Sequence, residues 1–178
     1  MGDKVILDVT CGSRGIWFDK ENPYTIYADK RRYQEEGVFG KRQAKDTINV
    51  NPDVIADFEN LPFEDNTFGL VVFDPPHLVG KDESWLKKKY GYYESTEEAI
   101  QSVSRGINEC MRVLKPNGVL IFKWSEIEIP TRDIISKCGY MPLFGHRSGK
   151  KMNTHWLTFM KLPLENEQLS LFAETTKG

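Results

Sequence analysis

The chain has 178 residues, of which 39% are hydrophobic and 28% charged, with 24 basic and 26 acidic side chains and a formal net charge of −2. These values suit one globular domain with a sizeable core and exclude an overall basic signature. No apolar run is long enough to span a bilayer, and Val5–Val9, short and broken by Asp8, does not make a signal peptide, so a cytoplasmic location is expected.

Lys4–Val9 is a short apolar run, read as a buried strand, and CGSRG follows as a glycine-bearing turn that should feed a helix. Tyr24–Ala28 is a second strand ending at Asp29. Residues 30–52 are polar, with Gly37, Gly40 and weak periodicity, and are expected to form a long, partly helical loop. Val54–Ala56 is a third strand ending at Asp57, and Phe68–Phe73 a fourth. Proline lacks the N–H a sheet needs, so Asp74-Pro75-Pro76 ends the fourth strand and holds the chain rigid beyond its tip. Residues 78–96 show no clear period. Ile100, Val103, Ile107, Met111 and Leu114 recur every three or four residues, which predicts a helix over 97–114, capped by Thr96 or Ser95. KPNG then turns into a fifth strand, Val119–Trp124. Pro130–Cys138 is a helix ended by Gly139, and strands at Met141–Gly145 and Trp156–Leu162 flank a polar turn. Residues 163–178 are polar and acidic and read as a flexible tail, giving a domain over 1–162 and a tail over 163–178.

Strands alternating with helices predict an α/β, Rossmann-like, seven-stranded, mostly parallel sheet with helices on both faces and a C-terminal antiparallel hairpin. Ligands of such sheets bind outside the carboxyl ends of the strands. Asp8, Asp29, Asp57 and Asp74 each stand at such an end. Asp29 lies about 20 residues beyond the first turn, the distance that suits ribose hydroxyls. Cys11, Cys110 and Cys138 are far apart and read as reduced thiols. His77, His146 and His155 show no ligand spacing, so no metal is expected.

ILDVTCGSRG, YAD and ADFENLPFEDNTFGLVVFDPP together resemble class I S-adenosylmethionine-dependent methyltransferases over about residues 3–125. The resemblance implies that the turn from Asp8 to Gly15, with Thr10, Cys11 and Gly12, holds the methionine part of S-adenosylmethionine. It also implies Asp29 on the ribose, Asp57 with Phe58 beside the adenine, and Asp74 among the cofactor-binding residues. CGSRG has less glycine and alanine than the family usually shows, so Arg14 needs room or a partner; one expectation is that it meets the cofactor carboxylate.

DPPH resembles the (D/N/S)PP(Y/F/W) motif of methyltransferases acting on amino nitrogens of nucleobases or of glutamine. The chemistry suits the residue types. The Asp74 carboxylate and the Pro75 carbonyl can accept the hydrogens of a conjugated amine, Pro76 keeps that carbonyl aimed, and the fourth residue stacks on a flipped base. His77 departs from the motif: imidazole stacks with less area than tyrosine and can take up a proton near neutral pH.

Three stretches suit DNA: 78–96, where Trp85, Tyr90, Tyr92 and Tyr93 interleave with Lys81 and Lys87–Lys89, then 30–52 and 146–153. Gln168-Leu169-Ser170-Leu171-Phe172 resembles the pentapeptide by which bacterial replication and repair proteins bind the DNA polymerase sliding clamp. The expectation is a bacterial or phage DNA amino-methyltransferase, adenine-N6 before cytosine-N4. Alternatives are an RNA base methyltransferase, a non-catalytic DNA- or clamp-binding module, and a small-molecule methyltransferase.

Overall fold

The computed structural model describes residues 4–39, 44–80, 84–148 and 153–162. In chain order the elements are β1 (Ile6–Asp8), β2 (Thr25–Asp29), β3 (Tyr33–Phe39), β4 (Ala44–Val50), β5 (Val54–Ile55), β6 (Phe68–Phe73), α1 (Trp85–Tyr90), α2 (Thr96–Val113), β7 (Leu114–Ser125), α3 (Thr131–Cys138), β8 (Phe144–Ser148) and β9 (Thr154–Met160). One seven-stranded sheet runs β5-β2-β1-β6-β7-β9-β8. Its first four pairings are parallel, and β9 runs antiparallel to both β7 and β8.

The core lies on one side of this sheet. Leu7, Val71, Phe73, Leu120, Phe122 and Phe159 point to that side and are almost wholly buried. Burial of each such side chain is worth about 1.5–3 kcal/mol relative to exposure. They meet the inward stripe of α2, where Ala99, Val103, Ile107 and Cys110 are fully buried. Ser95 caps α2 by accepting the Glu98 N–H, and Gly139 ends α3 in the left-handed region. Helix α3 packs on α2, so both cover the same face.

The expected helices on both faces are therefore found on one face only among the described residues. No described helix follows β1. The chain instead makes successive turns through residues 9–24, because Arg14 draws it back onto the sheet. Arg14 has a positive φ of 54°, its guanidinium lies 3.8 Å from the Tyr27 ring centre, and its Nη1 donates to the Lys20 carbonyl at 2.5 Å. On this second face Leu70, Ile121, Trp156, Thr158 and Met160 stay half-buried.

Residues 30–52 also differ from expectation: they contain the antiparallel hairpin β3–β4, register Tyr33↔Val50 to Phe39↔Ala44. Among the hairpin's described side chains Ile48 and Val50 are the buried apolar ones, too few for the period of two to stand out. KPNG lies within β7, as an irregularity between the pairs Phe68↔Leu114 and Leu70↔Val119. Among the described residues no helix is long and apolar enough to cross a membrane, and no group of three or more His, Cys, Asp or Glu side chains is arranged to hold a metal ion.

Candidate active site

Strand order reverses between β1 and β6, whose carboxyl tips lie side by side. A doubly wound sheet leaves a crevice at such a point. A cavity of about 650 Å³ opens there. Every candidate site residue from the sequence except Asp57 lines it: Asp8, Thr10, Cys11, Gly12 and Gly15 from the first turn, Asp29, Phe58, and the run Asp74, Pro75, Pro76, His77. Asp57 is exposed. Its carboxylate accepts the Glu59 N–H at 3.0 Å and its carbonyl accepts the Asn60 N–H at 3.0 Å, so it closes the turn that delivers Phe58.

Asp8 is buried at the tip of β1. Its two oxygens accept the Thr10 N–H at 3.1 Å and the Trp17 indole N–H at 2.7 Å. Burial pushes its carboxyl up to about 7; the hydrogen bonds oppose this, and the neighbouring Asp74 and Asp29 add to it. Thr10 also joins the two strand tips, since its hydroxyl oxygen accepts the Asp74 N–H at 2.9 Å. Gly12, with φ of 49°, adopts a conformation that L side chains rarely take and donates its N–H to Asp29 Oδ2 at 3.1 Å. Cys11 is a protonated thiol: burial first, then Asp8 and Asp29, push it up to about 12.

Asp29 is almost fully engaged. Beyond the Gly12 bond, it accepts the Arg31 backbone N–H at 2.9 Å, Nε at 3.1 Å and Nη2 at 3.3 Å. A carboxylate has about four lone-pair sites, and four donors are present. Asp74 is half engaged. Lys123, from β7, places Nζ 2.6 Å from Asp74 Oδ2. His77 lines the cavity next door, and burial holds its imidazole below the usual histidine range, so it is neutral at neutral pH.

Arg14 does not line the cavity. Besides Tyr27 and Lys20 it bonds the Asn51 carbonyl at 3.0 Å and pairs with Glu21 at 3.2 Å, which corrects the expectation that it meets a cofactor carboxylate. Its function is to shape the turn.

The wall facing the Asp74 run is built from α1 and the β3–β4 hairpin. Asp46 of β4 accepts Lys89 Nζ at 2.6 Å and the Trp85 indole N–H at 3.0 Å. Lys88 reaches Glu35 at 3.0 Å, and Tyr33 hydroxyl donates to the Lys88 carbonyl. At Gly37 a Cβ would collide with the Trp85 ring, so a glycine lets the two pieces meet. Arg31 closes the set, its Nη1 donating to the Lys88 and Lys89 carbonyls at 3.3 and 3.4 Å. Tyr90 and Tyr92 line the cavity and are 48% and 45% exposed, which leaves their rings open to a ligand at its mouth. Of 146–153, residues 149–152 lie outside the described residues. Arg147 faces Glu126 at 3.9 Å, at a separate cavity of about 560 Å³.

Sequence reasoning missed Trp17, Arg31 and Lys123. Lys123 had a visible signal: a charge between Phe122 and Trp124 in an otherwise apolar strand.

No family model and no curated protein matches the chain. Its backbone is similar to that of a Pyrococcus horikoshii protein (TM-score 0.55, 14% identity, covering 89% of this chain and 81% of that one). It is also similar to a SAM-dependent methyltransferase from Methanosarcina mazei (0.50, 12%, 92% and 95%) and to the antibiotic-resistance methyltransferase Kmr (0.50, 13%, 91% and 88%). Its fold is the Rossmann-like methyltransferase fold. At these identities the likeness is one of fold.

Proposed function

We propose that the protein transfers a methyl group from S-adenosylmethionine to an exocyclic amine of a DNA base, adenine-N6 before cytosine-N4. One observation carries the reading: of the three strand-tip carboxylates in the cavity, two are paired with cations and Asp8 is not. Arg31 pairs with Asp29 and Lys123 with Asp74, while no basic side chain pairs with Asp8 among the described residues. An unpaired buried carboxylate beside Gly12 suits a ligand that brings its own positive charge and repels a pyrophosphate. S-adenosylmethionine brings a sulfonium and an ammonium, so the residues present fit it. When bound it would supply an electrophilic methyl to the acceptor nitrogen, the C–S electron pair leaving with the sulfur and the amine proton passing to water.

The chain's own residues then have definite tasks. The first turn and Asp8 hold the methionine end, and Phe58 gives an apolar wall for the adenine. Asp74 and the Pro75 carbonyl accept the amine hydrogens and orient the lone pair. Neutral His77 offers a ring to stack on the base. Tyr90 and Tyr92 at the mouth, with Lys20 and Lys30 on the same lining, suit a nucleic-acid strand. The clamp-like segment Gln168–Phe172 lies outside the described residues; its support is its sequence, and it would tether a small enzyme to duplex DNA.

The test is to incubate the protein with tritiated S-adenosylmethionine and duplex DNA or structured RNA in separate reactions, with Asp74→Ala as control. Digested nucleosides are then identified by mass. N6-methyladenine in DNA that vanishes in the variant is the expected result. Label confined to RNA would overturn the DNA assignment. Failure to bind the cofactor would overturn the enzyme.

A further inference from the structure

We propose that Lys123 is a positioning residue, whose ammonium fixes the Asp74 carboxylate so that one oxygen, Oδ1, is left for the acceptor amine. This rests on the amine-methyltransferase reading. In β7 the side chains alternate, with Phe122 and Trp124 buried in the core and Lys123 on the other face. The register Phe73↔Phe122 places the residue after β6, Asp74, beside Lys123. Nζ lies 2.6 Å from Oδ2, and the two side chains are 26% and 24% exposed. Trp156, opposite Lys123 on β9, holds the ammonium 5.7 Å from its ring centre, which limits the lysine's freedom.

Asp74 is then held at two points, its N–H on Thr10 and its Oδ2 on Lys123. No described residue donates to Oδ1. A primary exocyclic amine has two hydrogens, one for Oδ1 and one for the Pro75 carbonyl. A carboxylate free to rotate would offer either oxygen and would also approach the cofactor's positive charge. The ion pair removes that freedom and makes the acceptor group nearly neutral overall. Exposed ion pairs are worth little because solvent and side-chain motion weaken them. This one is three-quarters covered and braced on both sides, so its geometry persists.

The test compares wild type, Lys123→Met, Lys123→Arg, Asp74→Asn and the double variant Asp74→Asn with Lys123→Met. The measurements are methyl transfer to duplex DNA, cofactor Kd by calorimetry, and Tm of the free proteins. Lys123→Met is expected to lower kcat by about tenfold or more while KM and cofactor Kd stay within about twofold. Lys123→Arg should restore most of the rate. In the Asp74→Asn background, Lys123→Met should have no further effect on rate, and the Tm losses should be non-additive in the same way. An unchanged kcat with a raised, salt-sensitive KM would overturn the proposal, since Lys123 would then be a substrate contact. Additive rate or Tm losses, or an arginine variant as slow as the methionine one, would overturn it too. The Tm cycle needs no substrate, so it decides the Lys123–Asp74 coupling even if no nucleic acid is methylated.

Discussion

At the cofactor end of the cavity Asp29 is paired with Arg31, two residues along the chain; at the acceptor end Asp74 is paired with Lys123, 49 residues away on the neighbouring strand. Both acids end parallel strands and both face the same cavity. The first pair is local and its guanidinium reaches on to the carbonyls of α1. The second crosses the sheet and makes no hydrogen bond to α1 or the hairpin among the described residues. The cofactor end is thus tied to the wall made by α1 and the β3–β4 hairpin, and the acceptor end to the sheet that forms the floor.

The acceptor end gives the largest expected effect. Asp74→Ala should lower methyl transfer by about 10²–10³-fold, the scale for removing one preorganised hydrogen-bonding group from a reacting centre. Cofactor Kd, measured by calorimetry, should change little, because on the proposed reading Asp74 meets the acceptor and Asp8 the cofactor. A parallel loss of cofactor binding would mean that the two ends are not separate.

Asp8, between the two pairs, gives a pH signature. Its carboxyl is raised to about 7 in the free protein. A cationic ligand favours the ionised form, so binding below that value must release a proton. Cofactor affinity should therefore weaken by up to about tenfold for each pH unit below 7 and level off above it. Calorimetry in buffers of different ionisation enthalpy should detect close to one proton released at pH 6 and almost none at pH 8.5. A flat profile from 5.5 to 8.5 would remove Asp8 from the cofactor's neighbourhood.

Arg31 sharpens the contrast through effects of opposite sign. It supplies three of the four donors on Asp29, where ribose hydroxyls would otherwise bond, and two bonds to α1 carbonyls. Arg31→Ala leaves the backbone donor in place and removes the rest. Cofactor Kd should fall by about three- to tenfold, while KM for DNA rises by a similar factor as α1 loosens. Both constants moving the same way would mean that Arg31 only holds the fold.

Much of this was legible in the sequence, and the misses share a cause. Strand tips are written locally: an apolar run stops at Asp8, Asp29 or Asp74, and Pro75-Pro76 seals the last. Helix α2 was legible because its apolar period is strong. The hairpin β3–β4 was not, since among its described side chains Ile48 and Val50 are the buried apolar ones, and Trp85 packs against it at Gly37. The missing helix after β1 was hidden for a similar reason. A glycine turn opens many helices, and only the cross-chain bonds of Arg14 to Lys20 and Asn51 reveal that this one is folded back. Asp57 looked like Asp29 because both end a strand, yet Asp57 turns to its own backbone and Asp29 to Gly12. Partner choice across long sequence separation is a property of packing, and no local pattern encodes it.

The smallest expected effect tests the wall of α1 and hairpin itself. Asp46 is the knot between hairpin and α1, and Lys89 first, then Trp85, hold its carboxyl below the usual carboxylate range. It stays ionised down to low pH, so the knot should not loosen across the working range of pH. Salt should weaken it only modestly, because Lys89 and Asp46 are about as well covered as Lys123 and Asp74. Asp46→Ala should raise KM for DNA by about two- to threefold, with little dependence on salt. kcat should hold, since Asp74 and Lys123 are untouched. If Asp46→Ala instead lowered kcat with KM constant, the hairpin would have to be part of the floor, and the division between a cofactor end tied to the wall and an acceptor end tied to the floor would fail.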